Sequence, residues 1–342
     1  MSKRELFARV LEATGLNAAL LWARARIPSP WLTVLTYHRV CHVRADYPFD
    51  PEVVDATPEQ LDEHLAILNR HFHVISLDAL RAYLEGAPLP PNPALVTFDD
   101  GYADWQGGVL PILKKHRVPG VFFVATDYVS RRRLFWWDKV SYFLGHAKRR
   151  HFALHRAAEG EIDLTRDMQG SRRWLLRLIK DRKGLDLDLL FDELASAASV
   201  PWSDAREREL ADTMIITWDQ VRALRAAGMD VQSHTRTHRV LQTLDPERLA
   251  EELQGSRREL EEQLQERVHA IAYPVGKAIA EEPEIRQAVD RAGYVLGFNY
   301  ANRASRLKRA LDRLDVGRLA VEPSYSLAYL RSVLAVPLLT GR

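Results

Sequence analysis

From residue 32 onward, short apolar and β-branched runs alternate with stretches of helical period. Residues 32–37 read as a first strand. Thr57-Pro58-Glu59-Gln60 then opens a helix, with a threonine cap, proline in the first turn and a glutamine that closes a capping box. A strand signal at 73–76, a helix near 77–85 and a proline-rich linker over 88–93 follow. Residues 94–98 are continuously apolar, the pattern of a strand buried on both faces. A helix near 103–116 and a strand at 121–124 complete this half. The alternation breaks over 131–216, an arginine-rich stretch with a helical pattern around 174–179. It resumes at Thr217-Trp218-Asp219-Gln220, a second capping box whose helix runs to Gly228. Further runs lie at 229–232, 268–272, 294–298 and 318–321. Repeated strand–helix units predict a parallel sheet with helices outside, and about seven of them suffice to close a barrel.

Composition narrows the class. The 342 residues are 46% hydrophobic and 27% charged with net charge +2, ordinary for a globular chain and not the strongly basic balance of a nucleic-acid-binding domain. No nucleic-acid partner is therefore expected. The basic clusters Arg131-Arg132-Arg133 and Lys148-Arg149-Arg150 read as solvated loop and helix ends. The single cysteine, Cys41, excludes an intrachain disulfide. No apolar run is long enough to span a bilayer, and the N-terminal stretch, broken by Asn17 and followed by Arg24 and Arg26, is a poor signal peptide. A cytoplasmic protein is expected. Over residues 4–26, Leu6, Val10, Leu11, Leu20, Leu21 and Trp22 sit among arginines in an amphipathic pattern. Such a helix either packs on the protein or a second copy, or lies peripherally on the inner membrane.

Three motifs carry chemistry, each at a predicted strand end. In Thr97-Phe98-Asp99-Asp100-Gly101, two adjacent carboxylates would be expensive to bury without a compensating cation. That end of a parallel strand is where active sites form; the plainer alternative is a helix cap. In Ser233-His234-Thr235-Arg236-Thr237-His238, histidines at i and i+4 on one helical face can chelate a metal ion. Threonine at 235 excludes the zinc-protease motif, which needs glutamate there. Two histidines and one carboxylate make a ligand set with open positions, and the second carboxylate is then available as a base. In Tyr273-Pro274-Val275-Gly276, a tight turn can aim backbone N–H groups at an oxyanion, or serve as a plain turn.

Taken in order, these motifs resemble the polysaccharide deacetylase family, carbohydrate esterases related to chitooligosaccharide deacetylases. Gly101-Tyr102-Ala103-Asp104, Leu110-Pro111-Ile112-Leu113 and the segment Leu35-Thr36-Tyr37-His38-Arg39-Val40 are similar to family segments. Phe135-Trp136-Trp137-Asp138 is similar to members that carry an insertion. The resemblance implies an α/β fold, a distorted (β/α)7-type barrel over 32–130 and 217–325. A largely helical insertion fills 131–216, flanked by an N-terminal amphipathic helix (1–31) and a C-terminal helix and tail (326–342). It implies hydrolysis of the N-acetyl group of an amino-sugar glycan. Asp100, His234 and His238 would hold one divalent metal ion, zinc by preference, Asp99 would act as base, and the Val275 N–H would face the oxyanion beside Tyr273 and Pro274. Two positions depart from the family pattern. Ala272 stands where many relatives carry a base-orienting arginine, a role left to Arg318 or Arg39, and the usual late histidine that serves as acid is missing, a role His38 could fill. A non-glycan amide or small lipid-linked substrate, or a catalytically reduced glycan-binding protein, are the competing expectations.

Overall fold

The computed structural model describes residues 3–27, 30–307 and 311–336. Its centre is a parallel sheet in which Trp31–Tyr37 pairs with Pro93–Asp100, then come Gly120–Val124, Asp230–Ser233, Ala270–Ala272 and Leu296–Phe298. Leu319–Ala320 pairs back onto the first strand, and a single parallel bridge, Phe298 to Val316, joins it to the last. The ring therefore closes with seven strands, tightly on one side and by short pairings on the other. This is the distorted barrel expected.

Alternation along the strands sorts side chains into two cores. Leu32, Val34, Leu95, Val121, Phe123, Ala270, Leu296 and Phe298 fill the interior, sealed below by Ile75, Leu77 and Leu80. Leu35, Tyr37, Val96, Phe98, Phe122 and Ile271 point outward against the helices. Both predicted capping boxes form, at Thr57–Gln60 and Thr217–Gln220. Residues 131–216 contribute the helices Trp136–Gly145, Met168–Asp181, Leu187–Ala197 and Asp204–Met214, together with an antiparallel ribbon, His151–Leu154 against Gly160–Asp163. The ribbon was not expected in a helical insertion. Buried residues of this segment belong to the same cluster as the barrel's outer shell, so it has no core of its own.

The N-terminus forms two helices, Lys3–Ala13 and Leu16–Arg26, where the sequence suggested one. Gly15, at φ 73°, makes the break. Their inner faces dock on the helix Leu327–Ala335 through the Glu12–Arg331 ion pair and a hydrogen bond from Asn17 to the Ala328 carbonyl (3.2 Å). Buried Arg24 donates to Asn92 (2.8 Å) and Thr33 (2.9 Å). Their outer faces are bare: six of the seven exposed large apolar side chains among the described residues are Leu6, Phe7, Val10, Leu16, Trp22 and Ile27. No helix among the described residues is long and apolar enough to cross a membrane. Residues 337–342 of the expected tail lie outside the described residues.

Candidate active site

Register places the chemistry at one level. Tyr37 pairs with Phe98, Asp100 with Val124, Val124 with Ser233, and Ala272 with Phe298. The residues that follow, His38, Asp99, His234, Tyr273 and Asn299, therefore ring the same end of the barrel. His38 and Asp99 continue the inward-facing series of their strands. Asp100 should by alternation point outward, but its backbone takes φ 86° and Gly101 follows at φ 121°, which turns the second carboxylate toward the same pocket. The two histidines are not on a helix. They sit on a loop in which Thr235 (φ 64°) and His238 (φ 52°) hold left-handed conformations, and this folds the imidazoles together instead of stacking them on a helical face. Val275 in the third motif is also left-handed, at φ 51°. Non-glycine residues so held are strained, and their concentration on three loops around one cavity marks a functional centre.

The His234–His238 loop is shaped by partners the motif does not reveal. Glu252, buried, accepts from the N–H groups of Arg236 and Thr237 (2.9 Å each) and from the Thr237 hydroxyl. Burial raises its pKa, and these donors oppose the rise. From the insertion, the Trp136 indole donates to the His238 carbonyl (3.2 Å), and the Trp137 ring packs edge-on to the His238 imidazole at 4.6 Å. Trp137 also donates to the Tyr102 hydroxyl (2.7 Å), which donates to Asp138 (2.9 Å). The Phe-Trp-Trp-Asp run thus builds a wall behind a ligand.

His234 Nδ1 donates to the Ala272 carbonyl (2.9 Å), which orients the ring with Nε2 toward the cluster. That Nε2 lies 3.1 Å from His238 Nε2, and Asp100 Oδ1 lies 3.4 Å from each. All three ligand atoms fall within 4.8 Å of one another in a fully buried setting. Asp100 Oδ1 and His238 Nδ1 are buried without hydrogen-bond partners. Burial, and next the neighbouring His234, push the His238 pKa well below its ordinary value, so the ring is neutral. Two imidazole Nε2 atoms converging on a buried carboxylate oxygen that has no donor fit a divalent cation.

Beside this triad, Arg318 grips Asp99 in a two-pronged ion pair, Nη1 to Oδ1 at 2.8 Å and Nη2 to Oδ2 at 2.7 Å. Its Nε donates to the Asn299 carbonyl (3.0 Å), and both side chains are buried. Burial alone would raise the Asp99 pKa; the Arg318 charge and hydrogen bonds, joined by the His234 and His38 charges, together outweigh it, and the carboxyl is held below its ordinary value. Of the two arginines considered, Arg318 is therefore the one in the site, whereas Arg39 pairs with Asp104 (3.1 Å). His38 donates from Nδ1 to Asp55 (2.9 Å), which also accepts the His38 backbone N–H. Burial lowers the His38 pKa, but the Asp55 charge and hydrogen bond carry it up to about 9.

A cavity of about 340 Å³ joins these groups, bordered by His38, Asp99, Asp100, His234, His238, Tyr273, Val275, Gly276, Tyr300 and Arg318. Tyr273 is buried, and its hydroxyl donates to the Leu314 carbonyl (2.6 Å) rather than toward a ligand. Gly276 is needed for a close approach: a Cβ there would lie 1.9 Å from Tyr300 Cβ. Trp136, Trp137, Leu176 and Lys180 of the insertion border the same cavity. Asp55, Glu252, Asn299 and Tyr300 were absent from the sequence reading. For Asn299 and Tyr300 a signal existed, since they directly follow a predicted strand; nothing local distinguishes Asp55 or Glu252.

The geometry agrees with what comparison finds. The sequence profile described as polysaccharide deacetylase matches residues 86–182 and 187–297, more than half of the chain. The chain belongs to the polysaccharide deacetylase family. As a polysaccharide deacetylase it is a carbohydrate N-deacetylase, a hydrolase, and its Asp100–His234–His238 cluster is a possible site for the metal ion on which such enzymes depend. Solved structures share its fold. The Streptococcus pyogenes deacetylase PplD in complex with acetate superposes with TM-score 0.59 at 18% identity, covering 90% of this chain and 99% of that one. IcaB from Ammonifex degensii gives 0.55 at 21% identity (90% and 97%), and a de-N-acetylase from Aggregatibacter actinomycetemcomitans gives 0.55 at 17% (88% and 99%). No curated protein matches the sequence.

Proposed function

We propose that this polysaccharide deacetylase removes the acetyl group from an N-acetylated amino-sugar glycan with one divalent metal ion, zinc by preference, held by Asp100, His234 and His238. The observation that carries the reading is the pairing of an ionised carboxylate, Asp99 on Arg318, with a cluster of converging ligand atoms in one cavity. When bound, the ion supplies polarisation of the acetyl carbonyl and a lowered pKa for water. Asp99, fixed in orientation by Arg318, accepts a proton from the attacking water. The Val275 N–H faces the carbonyl oxygen as negative charge develops there. His38, protonated at neutral pH because of Asp55, donates its proton to the sugar nitrogen as the C–N bond breaks, releasing acetate and a free amine.

Acetate release from N,N′,N″,N‴-tetraacetylchitotetraose by metal-loaded protein tests this. Asp99→Asn should lower kcat on the order of 10²–10⁴-fold while metal content stays at one ion per chain. Asp100→Asn, His234→Ala and His238→Ala should each lose the ion. Full turnover in Asp99→Asn, or unchanged metal content in the ligand variants, would remove these assignments. The bare outer faces of the N-terminal helices, flanked by Arg4, Arg9 and Arg26, support a second part of the proposal. The protein stays in the cytoplasm and rests these helices on the anionic face of the inner membrane.

A further inference from the structure

One cation in the catalytic cavity touches no anion directly. Lys180 lies in the insertion helix Met168–Asp181 and, with Leu176 one turn before it, borders the cavity that holds Asp99 and His234. The other cations of the wall are each paired, Arg318 with Asp99 and His38 with Asp55, and the nearby carboxylates Asp50 and Glu52 share one arginine, Arg172. Even Asp181, next in sequence, pairs with Lys277 at 3.8 Å. Lys180 makes no ion pair or hydrogen bond among the described residues. Its Nζ lies 5.9 Å from the centre of the Trp136 indole, which borders the same cavity.

A surface lysine ordinarily turns its ammonium out to water. Here the side chain lies along the cavity wall, and burial pulls its pKa below the ordinary value against the nearby charges of Asp50, Glu52 and Asp181. Such a cation is costly to desolvate unless an anion meets it. A metal ion in the ligand triad would add positive charge, so that Lys180 and the metal site would both draw in an anion that enters. An ammonium is a point charge without a fork geometry, so it discriminates by sign rather than by the shape of the oxyanion.

We propose that Lys180 is a specificity-determining residue that binds an oxyanion, phosphate or carboxylate, carried by the sugar whose acetamido group reaches Asp99. The Trp136 and Trp137 rings would flank the sugar between the two ends. This rests on the cavity being the deacetylation site, and it narrows the substrate class from a neutral glycan to an anionic one.

Deacetylated sugars allow a test in which nothing turns over. Glucosamine, glucosamine 1-phosphate and muramic acid are titrated calorimetrically into the metal-loaded full chain. At least one anionic sugar should bind tenfold or more tighter than glucosamine, and the arm that does so distinguishes a phosphate from a carboxylate. In Lys180→Gln that ratio should fall about tenfold, the loss of one charged hydrogen bond, whereas Lys180→Arg should retain most of it. The proposal is overturned if neither anionic sugar outbinds the neutral one. It is equally overturned if Lys180→Gln leaves the ratio intact, since the anion is then held by the metal or by another group. Because binding is read here and acetate release in the activity assay, failure of the catalytic reading and failure of this inference give separate results.

Discussion

At the scale of single residues, the proposed mechanism divides protons between a buried pair, Arg318 with Asp99, and a half-buried one, His38 with Asp55. Arg318 favours the ionised form of Asp99 and Asp55 the protonated form of His38, the charge states that the proposed base and acid require. The sign of the second pair is open to measurement. His38 has its pKa raised above the imidazole reference to about 9, so the acid form is present at neutral pH and is lost as pH rises through that value. Asp55→Asn removes the charge that raises it. The falling alkaline limb of kcat should then move to lower pH, and the His38 resonances in an NMR titration should move with it. An alkaline limb that stays in place in Asp55→Asn would exclude His38 as the group being titrated.

At the scale of elements, the ligand loop depends on a helix that is distant in sequence. Glu252, in a π-type turn over Glu251–Gly255, takes up two backbone N–H groups between His234 and His238. Without it these donors remain buried and unanswered, each costing about 1–3 kcal/mol, and the left-handed residues Thr235 and His238 lose the frame that holds them. Glu252→Ala should weaken metal affinity on the order of 10–100-fold, as loss of an outer partner does elsewhere. Equilibrium metal competition with a chromophoric chelator measures this. Unchanged affinity would mean that Trp136 and Trp137 alone shape the loop. The insertion acts in the same way: it enters after Gly120–Val124 on the catalytic face and returns ahead of Asp230–Ser233, and it supplies the aromatic wall and Lys180.

At the scale of the whole molecule, the N-terminal helix pair adds an apolar surface to a barrel otherwise closed to solvent by polar side chains. Phe7 and Trp22 are 53% and 57% exposed, and Arg26 stacks on Trp22 at 4.2 Å, a combination suited to a lipid headgroup boundary. Co-sedimentation with vesicles of phosphatidylglycerol and phosphatidylethanolamine should therefore retain the wild-type chain and release Phe7→Glu/Trp22→Glu. Binding that is equal in both proteins would assign these helices another partner.

Sequence alone determined the strand–helix rhythm, the capping boxes and the three motifs, because each depends on neighbours within a few residues. It also ordered the site, since Asp99, His234 and Tyr273 all follow closely on the predicted strand runs that a parallel barrel must bring to one end. What tertiary structure decided was everything set by approach between distant segments. Arg318 rather than Arg39 reached Asp99, because its strand closes the barrel beside Trp31–Tyr37. The His38 pKa is raised by Asp55, 17 residues away. The helical spacing of the two histidines gave way to a loop, since Glu252 and Thr126 offer the backbone of 235–237 bonds that a helix would have had to supply internally. Local patterns record which segments form; which side chains then meet depends on the closure of the sheet, and no short window of sequence contains that information.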